Sequence, residues 1–242
     1  FNFTNIPDGV YNYNATICDL ANQCKKTFTR TITLDTINPN VTLIAPANNT
    51  YTNVSSQNLT ANLSDTAGIN NATLYVYNSS GLYNQTYITG FVTGTLTSTA
   101  GIVITFVDNV YKWFYKMFDW AGNSFISLNN TLTIDTIQPV PDFVDPTPSN
   151  NSGRNTLFEI NVSITDLNVK NATLNFNGTL TACNSSSCDA NASFYNISAT
   201  NWIFIFNKTG LVAGVNYDYY LTACDLAGNC NSNITDRGKL QK

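Results

Sequence analysis

The stretch from Asp8 to Pro39 returns one hundred residues later, from Asp108 to Pro139. Val10, Tyr11, Asp19, Asp35, Thr36, Ile37 and Pro39 meet identical residues at 110, 111, 119, 135, 136, 137 and 139, and Tyr13 meets Trp113. Part of the motif comes a third time, 106 residues further on, as Tyr217, Tyr219, Asp225, Ala227, Gly228 and Asn229. Earlier in each repeat, Asn62-Leu63-Ser64 is answered by Asn161-Val162-Ser163, and Asn71-Ala72-Thr73-Leu74 by Asn171-Ala172-Thr173-Leu174. A period of this size is a whole domain, not the unit of a solenoid. Within it the pattern has period two. Tyr11, Tyr13, Ala15 and Ile17 alternate with polar residues, as do Tyr111, Trp113, Tyr115 and Met117, and Tyr217, Tyr219, Leu221 and Ala223. Such alternation, rich in aromatic and β-branched residues, predicts half-buried strands. The segments DLAGN and DWAGN predict turns, in which Asp closes an Asx-turn and Gly122 or Gly228 takes positive φ. About 100 residues of short strands is the size of a β-sandwich, so the fold class is all-β, with sandwiches in tandem.

The Asp-Thr-Ile-x-Pro segments at 35–39 and 135–139 read as linkers. They divide the chain into 1–36, the last two strands of an incomplete unit, and two sandwiches at 37–136 and 137–242. Two strands alone are marginal in water. Residues 1–36 therefore either belong to a longer array or complete a sandwich with another copy of the chain. The ending NITDRGKLQK lacks the TIDT strand of its sisters and leaves a place for a donated strand.

The succession Tyr-x-(Tyr/Trp), Asp-x-Ala-Gly-Asn, Thr-x-Thr-Ile-Asp-Thr and an early Pro resembles the end of an immunoglobulin-like repeat from prokaryotic cell-surface proteins. The resemblance covers essentially the whole chain. It implies tandem immunoglobulin-like sandwiches acting as stalks, scaffolds or adhesive tips. The Tyr that opens the motif also resembles the strand-F tyrosine of sandwich domains.

Charged residues make up 11% of the chain, 11 basic against 15 acidic, where about 25% is usual. There is no basic patch of the kind nucleic acid needs, and no apolar run of membrane-spanning length. The chain contains no His, and Glu159 is its only Glu, so a Ser-His-Asp or Cys-His device cannot be built. No Asp pair stands apart from the repeat as a glycosidase pair would. The chain reads as a non-enzyme.

Asn followed at the second position by Ser or Thr occurs 20 times. With 37 Asn and 50 Ser plus Thr, chance placement would give roughly 8 such triplets. The acceptors are Asn2, Asn14, Asn40, Asn48, Asn53, Asn58, Asn62, Asn71, Asn78, Asn84, Asn129, Asn150, Asn161, Asn171, Asn177, Asn184, Asn191, Asn196, Asn207 and Asn233. The excess predicts an extracellular chain carrying many N-linked glycans. The competing reading is an Asn/Thr-rich β surface with accidental triplets. Dense N-glycosylation on a prokaryote-like repeat points to an archaeon.

Six cysteines fall in three close pairs, Cys18/Cys24, Cys183/Cys188 and Cys224/Cys230. CDLANQC and CDLAGNC become FDWAGNS in the middle repeat, where Phe118 and Ser124 replace both cysteines together. Joint replacement favours disulfides, and these belong to an oxidising exterior. The alternative, metal binding, has no His and lacks the spacing of zinc sites. Recurring aspartates raise a second possibility. Asp19, Asp119 and Asp225 sit in the turns, Asp35 and Asp135 at the junctions, and all five are candidate calcium ligands. Related repeats often bind calcium at domain junctions. The competing reading is that these aspartates cap turns and backbone N–H groups. No other cofactor is implied.

These observations define an extracellular structural protein that builds a layer, stalk or filament with copies of itself. The alternatives are an adhesin that binds sugar or protein, or the stalk of a larger secreted enzyme.

Overall fold

The computed structural model describes residues 3–153, 158–233 and 238–241, and every regular element in it is a strand. The described residues contain no helix long and apolar enough to cross a membrane. The chain falls into two compact units. The first comprises Phe1–Thr50, Ser56–Thr105 and Val110–Leu132, the second Tyr51–Ser55, Phe106–Asn109 and Thr133–Lys242.

The first sandwich has a three-stranded sheet in the order β10 (Thr97–Thr105), β7 (Ser56–Ser64), β5 (Asn40–Ala45). Its second sheet runs β6 (Thr50–Thr52), β13 (Asn130–Ile134), β11 (Asn109–Asp119), β8 (Ile69–Asn78), β9 (Gly81–Ile88), with β12 (Ser124–Ile126) on β11. Period-two alternation builds the interior. Along β11, Tyr111, Trp113, Tyr115 and Met117 are fully buried, while Lys112 between them is exposed. On β7, Leu59, Ala61 and Leu63 point inward, and Asn58 and Asn62 are exposed. The buried Tyr115 hydroxyl donates to the Leu59 carbonyl at 2.8 Å, tying one sheet to the other. Burial pushes the ionisation of this phenol up.

The second unit repeats the plan. One sheet orders β14 (Val140–Val144), β16 (Phe158–Thr165), β20 (Asn201–Lys208), β19 (Ala192–Asn196). The other orders β15 (Ser152–Gly153), β23 (Gly238–Gln241), β21 (Asn216–Asp225), β17 (Val169–Phe176), β18 (Thr179–Asn184), with β22 (Cys230–Ser232) on β21. Ile160, Val162 and Ile164 from the first sheet close one core with Leu174, Phe176, Tyr219 and Leu221 from the second. The buried Tyr219 hydroxyl donates to a backbone carbonyl too, that of Pro148 in the loop between β14 and β15, at 3.0 Å.

The strand place expected to stand open in the last unit is filled, because Gly238–Gln241 pairs antiparallel with β21, matching Tyr217 to Leu240 and Tyr219 to Gly238. Ladder pairing uses backbone N–H and C=O groups, so GKLQ fills the place without the TIDT sequence.

Residues 9–34 form two small antiparallel sheets. β1 (Gly9–Tyr13) pairs with β4 (Arg30–Leu34), and β2 (Thr16–Cys18) with β3 (Cys24–Lys26). The motif tyrosine ties its own loop as in a strand-F tyrosine corner, with Tyr11 Oη donating to the Pro7 carbonyl four residues upstream at 2.7 Å. Tyr13, Ile17 and Ile32 are exposed, although Trp113, Met117 and Leu132, a hundred residues on, are fully buried.

The three cysteine pairs are disulfides, Cys18–Cys24, Cys183–Cys188 and Cys224–Cys230. Cys18 opposes Cys24 and Cys224 opposes Cys230 in their ladders. Phe118 and Ser124 stand opposite each other at the same place in the middle repeat. The staple is thus replaced at one register position, which accounts for the joint substitution. Cys183–Cys188 pins the loop between them, where Asn184 Oδ1 accepts from Ser186 N and Ser187 N.

Candidate metal centre

Each unit gathers three buried aspartates. In the first they are Asp35, which follows β4, Asp65, which follows β7, and Asp119, which ends β11. In the second they are Asp135 after β13, Asp166 after β16 and Asp225 at the end of β21. One carboxylate oxygen from each member lies within 4.8 Å of those of the other two. The six residues are between 0% and 8% exposed.

The turn after the long strand fixes the third member. Asp119 Oδ1 accepts from Gly122 N and Asn123 N at 2.6 and 2.8 Å, and its Oδ2 accepts from Asn123 Nδ2 at 2.8 Å. Asn123 Nδ2 also donates to the Asp35 carbonyl at 3.0 Å. In the second unit Asn229 does the same, donating from Nδ2 to Asp225 Oδ2 at 2.7 Å and to the Asp135 carbonyl at 2.8 Å. Gly122 and Gly228 sit at φ 97° and 93°, where a Cβ would strain the turn. The recurring Asp-x-Ala-Gly-Asn is therefore a device in which Asp and Asn join the turn to the strand that enters the same unit. Asx-closure was legible in the sequence; the Asn side chain as a cross-link was not.

Asp35 Oδ1 accepts from Ile37 N at 3.1 Å, and Asp65 Oδ2 accepts from Ala67 N and Gly68 N, both at 2.7 Å. The remaining oxygens, Asp35 Oδ2 and Asp65 Oδ1, are buried with no hydrogen-bond partner. Burial raises the pKa of Asp35, the Ile37 N–H opposes that shift, and the neighbouring carboxylates of Asp65, Asp119 and Asp8 reinforce it. Asp166 is raised in the same way, by burial first and then by Asp135 and Asp225, against the Asn168 N–H.

Stranded carboxylate oxygens among like charges fit a cation. Oxygens that share a calcium ion at about 2.3–2.6 Å stand at most about 5 Å apart, and the triads meet that limit. A donor set made only of carboxylates suits a hard divalent ion and not a soft one. Asp35, Asp65 and Asp119 are thus the side chains that would hold the ion in the first unit; Asp135, Asp166 and Asp225 form the corresponding cluster in the second.

The structure brings together Asp35 with Asp119, and Asp135 with Asp225, joining turn aspartates to junction aspartates that the sequence left as separate groups. It adds Asp65 and Asp166. Their signal was present, since each closes the segment that begins Asn62-Leu63-Ser64 or Asn161-Val162-Ser163. Asp19 joins neither triad. It is exposed in the β2–β3 hairpin, where its Oδ1 accepts from Ala21 N and Gln23 N.

Among the acceptor asparagines, Asn14, Asn40, Asn48, Asn53, Asn58, Asn62, Asn129, Asn150, Asn177, Asn184, Asn191, Asn196 and Asn207 are exposed. Asn71, Asn78, Asn84, Asn161 and Asn171 are half-buried, and Asn2 lies outside the described residues. Asn233 differs from the rest. It is buried, and its Oδ1 accepts from Leu221 N at 2.7 Å, so its amide is closed to a glycan in the folded chain.

No protein-family model and no curated protein sequence matches the chain. Solved structures do match. The crystal structure of Rst D1-D2 aligns over 85% of this chain and 99% of its own, at 12% identity and a TM-score of 0.52. A D1–D4 ectodomain fragment of ICAM-5 aligns over 97% and 62%, at 8% identity and a TM-score of 0.48. The fibronectin(III)-like modules of Clostridium thermocellum CbhA align over 83% and 93%, at 13% identity and a TM-score of 0.37. The likeness to the first is one of fold, and it agrees with the sheet orders above: this is an all-β chain of immunoglobulin-like sandwiches.

Proposed function

We propose that this protein is an extracellular structural glycoprotein whose sandwiches serve as stiff segments of a cell-surface layer, stalk or filament, each braced at its Asp triad. The observation that carries this reading is where the acceptor asparagines stand. Asn58 and Asn62 alternate with the core residues Leu59, Ala61 and Leu63 on one strand, so sugar added there faces solvent and leaves the core intact. Three disulfides agree with an oxidising exterior. With only 11% charged residues, the surface would draw its solubility from the glycans. In the first unit the triad would bind calcium, which extracellular modules hold at about 0.1–1 mM, and the ion would neutralise carboxylates that otherwise repel. Intact-mass measurement on native material is expected to exceed the 26.5 kDa polypeptide by several glycans. A mass within a few glycosyl residues of the bare chain would overturn the glycoprotein reading.

Assembly with copies of itself is part of this proposal, and one observation favours it. Tyr13, Ile17 and Ile32 present to solvent the face that the equivalent residues bury in the first sandwich. Covering three such side chains is worth about 1.5–3 kcal/mol each. The partner would be a second copy docked on this face, since the strand place beside β21 is already taken by β23. Sedimentation is expected to show self-association of the full chain that is lost on joint replacement of Tyr13, Ile17 and Ile32 by Ser. A monomeric wild type, or a variant that associates equally, would refute it.

A further inference from the structure

The two triads share their aspartates but differ in a side-chain donor. Both first members accept a backbone N–H on Oδ1, Asp35 from Ile37 and Asp135 from Ile137. Their second oxygens part company. Asp35 Oδ2 is buried without a partner, whereas Asp135 Oδ2 accepts from the side-chain amide of Asn168 at 3.1 Å. The loops explain why. After Asp166 the chain runs Leu167-Asn168-Val169, and Asn168 also gives its own N–H to Asp166 Oδ1 at 2.7 Å. After Asp65 it runs Thr66-Ala67-Gly68-Ile69, one residue longer. The backbone position that matches Asn168 is Gly68: each offers its carbonyl to the residue after the turn aspartate, Trp120 in the first unit and Leu226 in the second. Gly68 carries no side chain, sits at φ 123°, and a Cβ there would meet Trp120 Cδ1 at 3.2 Å. The first loop therefore brings no amide into its triad, and Asp35 and Asp65, each 8% exposed, keep one bare oxygen apiece.

We propose that the two triads have different occupants: the first takes a hard divalent cation, and the second is closed by the Asn168 amide, which supplies the positive end of a dipole where the first needs an ion. This rests on the reading of the first triad as a cation site. A protein donor satisfies one carboxylate oxygen permanently, independent of medium, so the second unit would stay braced when the surrounding calcium falls. The first would respond to it.

The test is the calcium stoichiometry of the full chain made in a host without N-glycosylation, by equilibrium dialysis at millimolar calcium with the metal measured by atomic emission. One ion per chain is expected for the wild type. Asp65→Asn is expected to bind none and Asp166→Asn still one. Asn168→Ala, which keeps the backbone N–H to Asp166, is expected to bind two, and the near-isosteric Asn168→Asp likewise, with near-ultraviolet circular dichroism confirming that both are folded. A wild type that binds no ion would defeat the cation reading itself. Two ions on the wild type, or one that survives Asp65→Asn and is lost in Asp166→Asn, would leave that reading standing and overturn the asymmetry. One ion on both folded Asn168 variants would overturn the role of the amide.

Discussion

Replacing Trp113 by Ala is expected to destabilise the first unit by about 3–5 kcal/mol, the range for a large aromatic removed from a closed core. Trp113 is fully buried at the centre of β11, opposite Val76 in the ladder with β8, and meets Tyr115 edge-on at 6.3 Å. Its surroundings are strands held at both edges, so the cavity cannot collapse easily. The indole also carries a buried Nε1–H that has no partner. A stranded buried donor costs about 1–3 kcal/mol. Trp113→Phe, which removes that donor along with some volume, is therefore expected to cost much less than Trp113→Ala. Tyr13→Ala, at the equivalent but half-exposed position, should stay near the about ±0.5 kcal/mol of ordinary surface changes. Urea unfolding followed by tryptophan fluorescence and circular dichroism reads all three. A cost for Trp113→Ala below about 1 kcal/mol, or equal costs at 13 and 113, would contradict the core described here.

The second large effect is expected from calcium. An ion bound to the folded state only, at a free concentration one hundred times its dissociation constant, stabilises by about 2.7 kcal/mol. Asp65→Asn should abolish that gain and do something further in chelator. The Asn Oδ1 can keep the bonds from Ala67 N and Gly68 N, while its Nδ2 replaces the bare Oδ1 and can donate toward the bare Asp35 Oδ2. The substitution removes a negative charge beside Asp35, whose own ionisation is disfavoured by burial and by the carboxylates of Asp65, Asp119 and Asp8. In chelator the variant is thus expected to be at least as stable as wild type, and in calcium less stable. This crossing of the two stability orders distinguishes a cation site from a purely hydrogen-bonded turn. A simple turn would change in stability by the same amount in both media.

The alternation of Tyr111, Trp113, Tyr115 and Met117 was enough to place β11 and to orient it, because a strand half buried in a sandwich has one inward face and the period is two. The same reasoning at Tyr11, Tyr13 and Ile17 predicted strands, and strands are there. It could not predict their exposure, since burial depends on an opposing sheet that local pattern does not contain. The turn aspartates were visible because Asp-x-Ala-Gly-Asn repeats. Asp65 and Asp166 each close a repeated segment, but their joining the triads was not visible, because they lie 30–31 and 54–59 residues from their partners and are brought to them only by the sheet order. The Asn168 contact was further out of reach. It depends on a loop one residue shorter than its counterpart, and a change of one residue redirects a side chain without disturbing any repeat match. GKLQ as the closing strand was missed for the opposite reason: backbone pairing needed no motif.

The most direct test of the account is thermal unfolding of the full chain, in chelator and again in about 10 mM calcium, one hundred times the tighter end of the affinity range for such modules. Calcium is expected to raise the midpoint of the transition reported by tryptophan, magnesium at the same concentration to raise it less, and Asp65→Asn to remove the response. An identical wild-type midpoint in chelator and in calcium would contradict it.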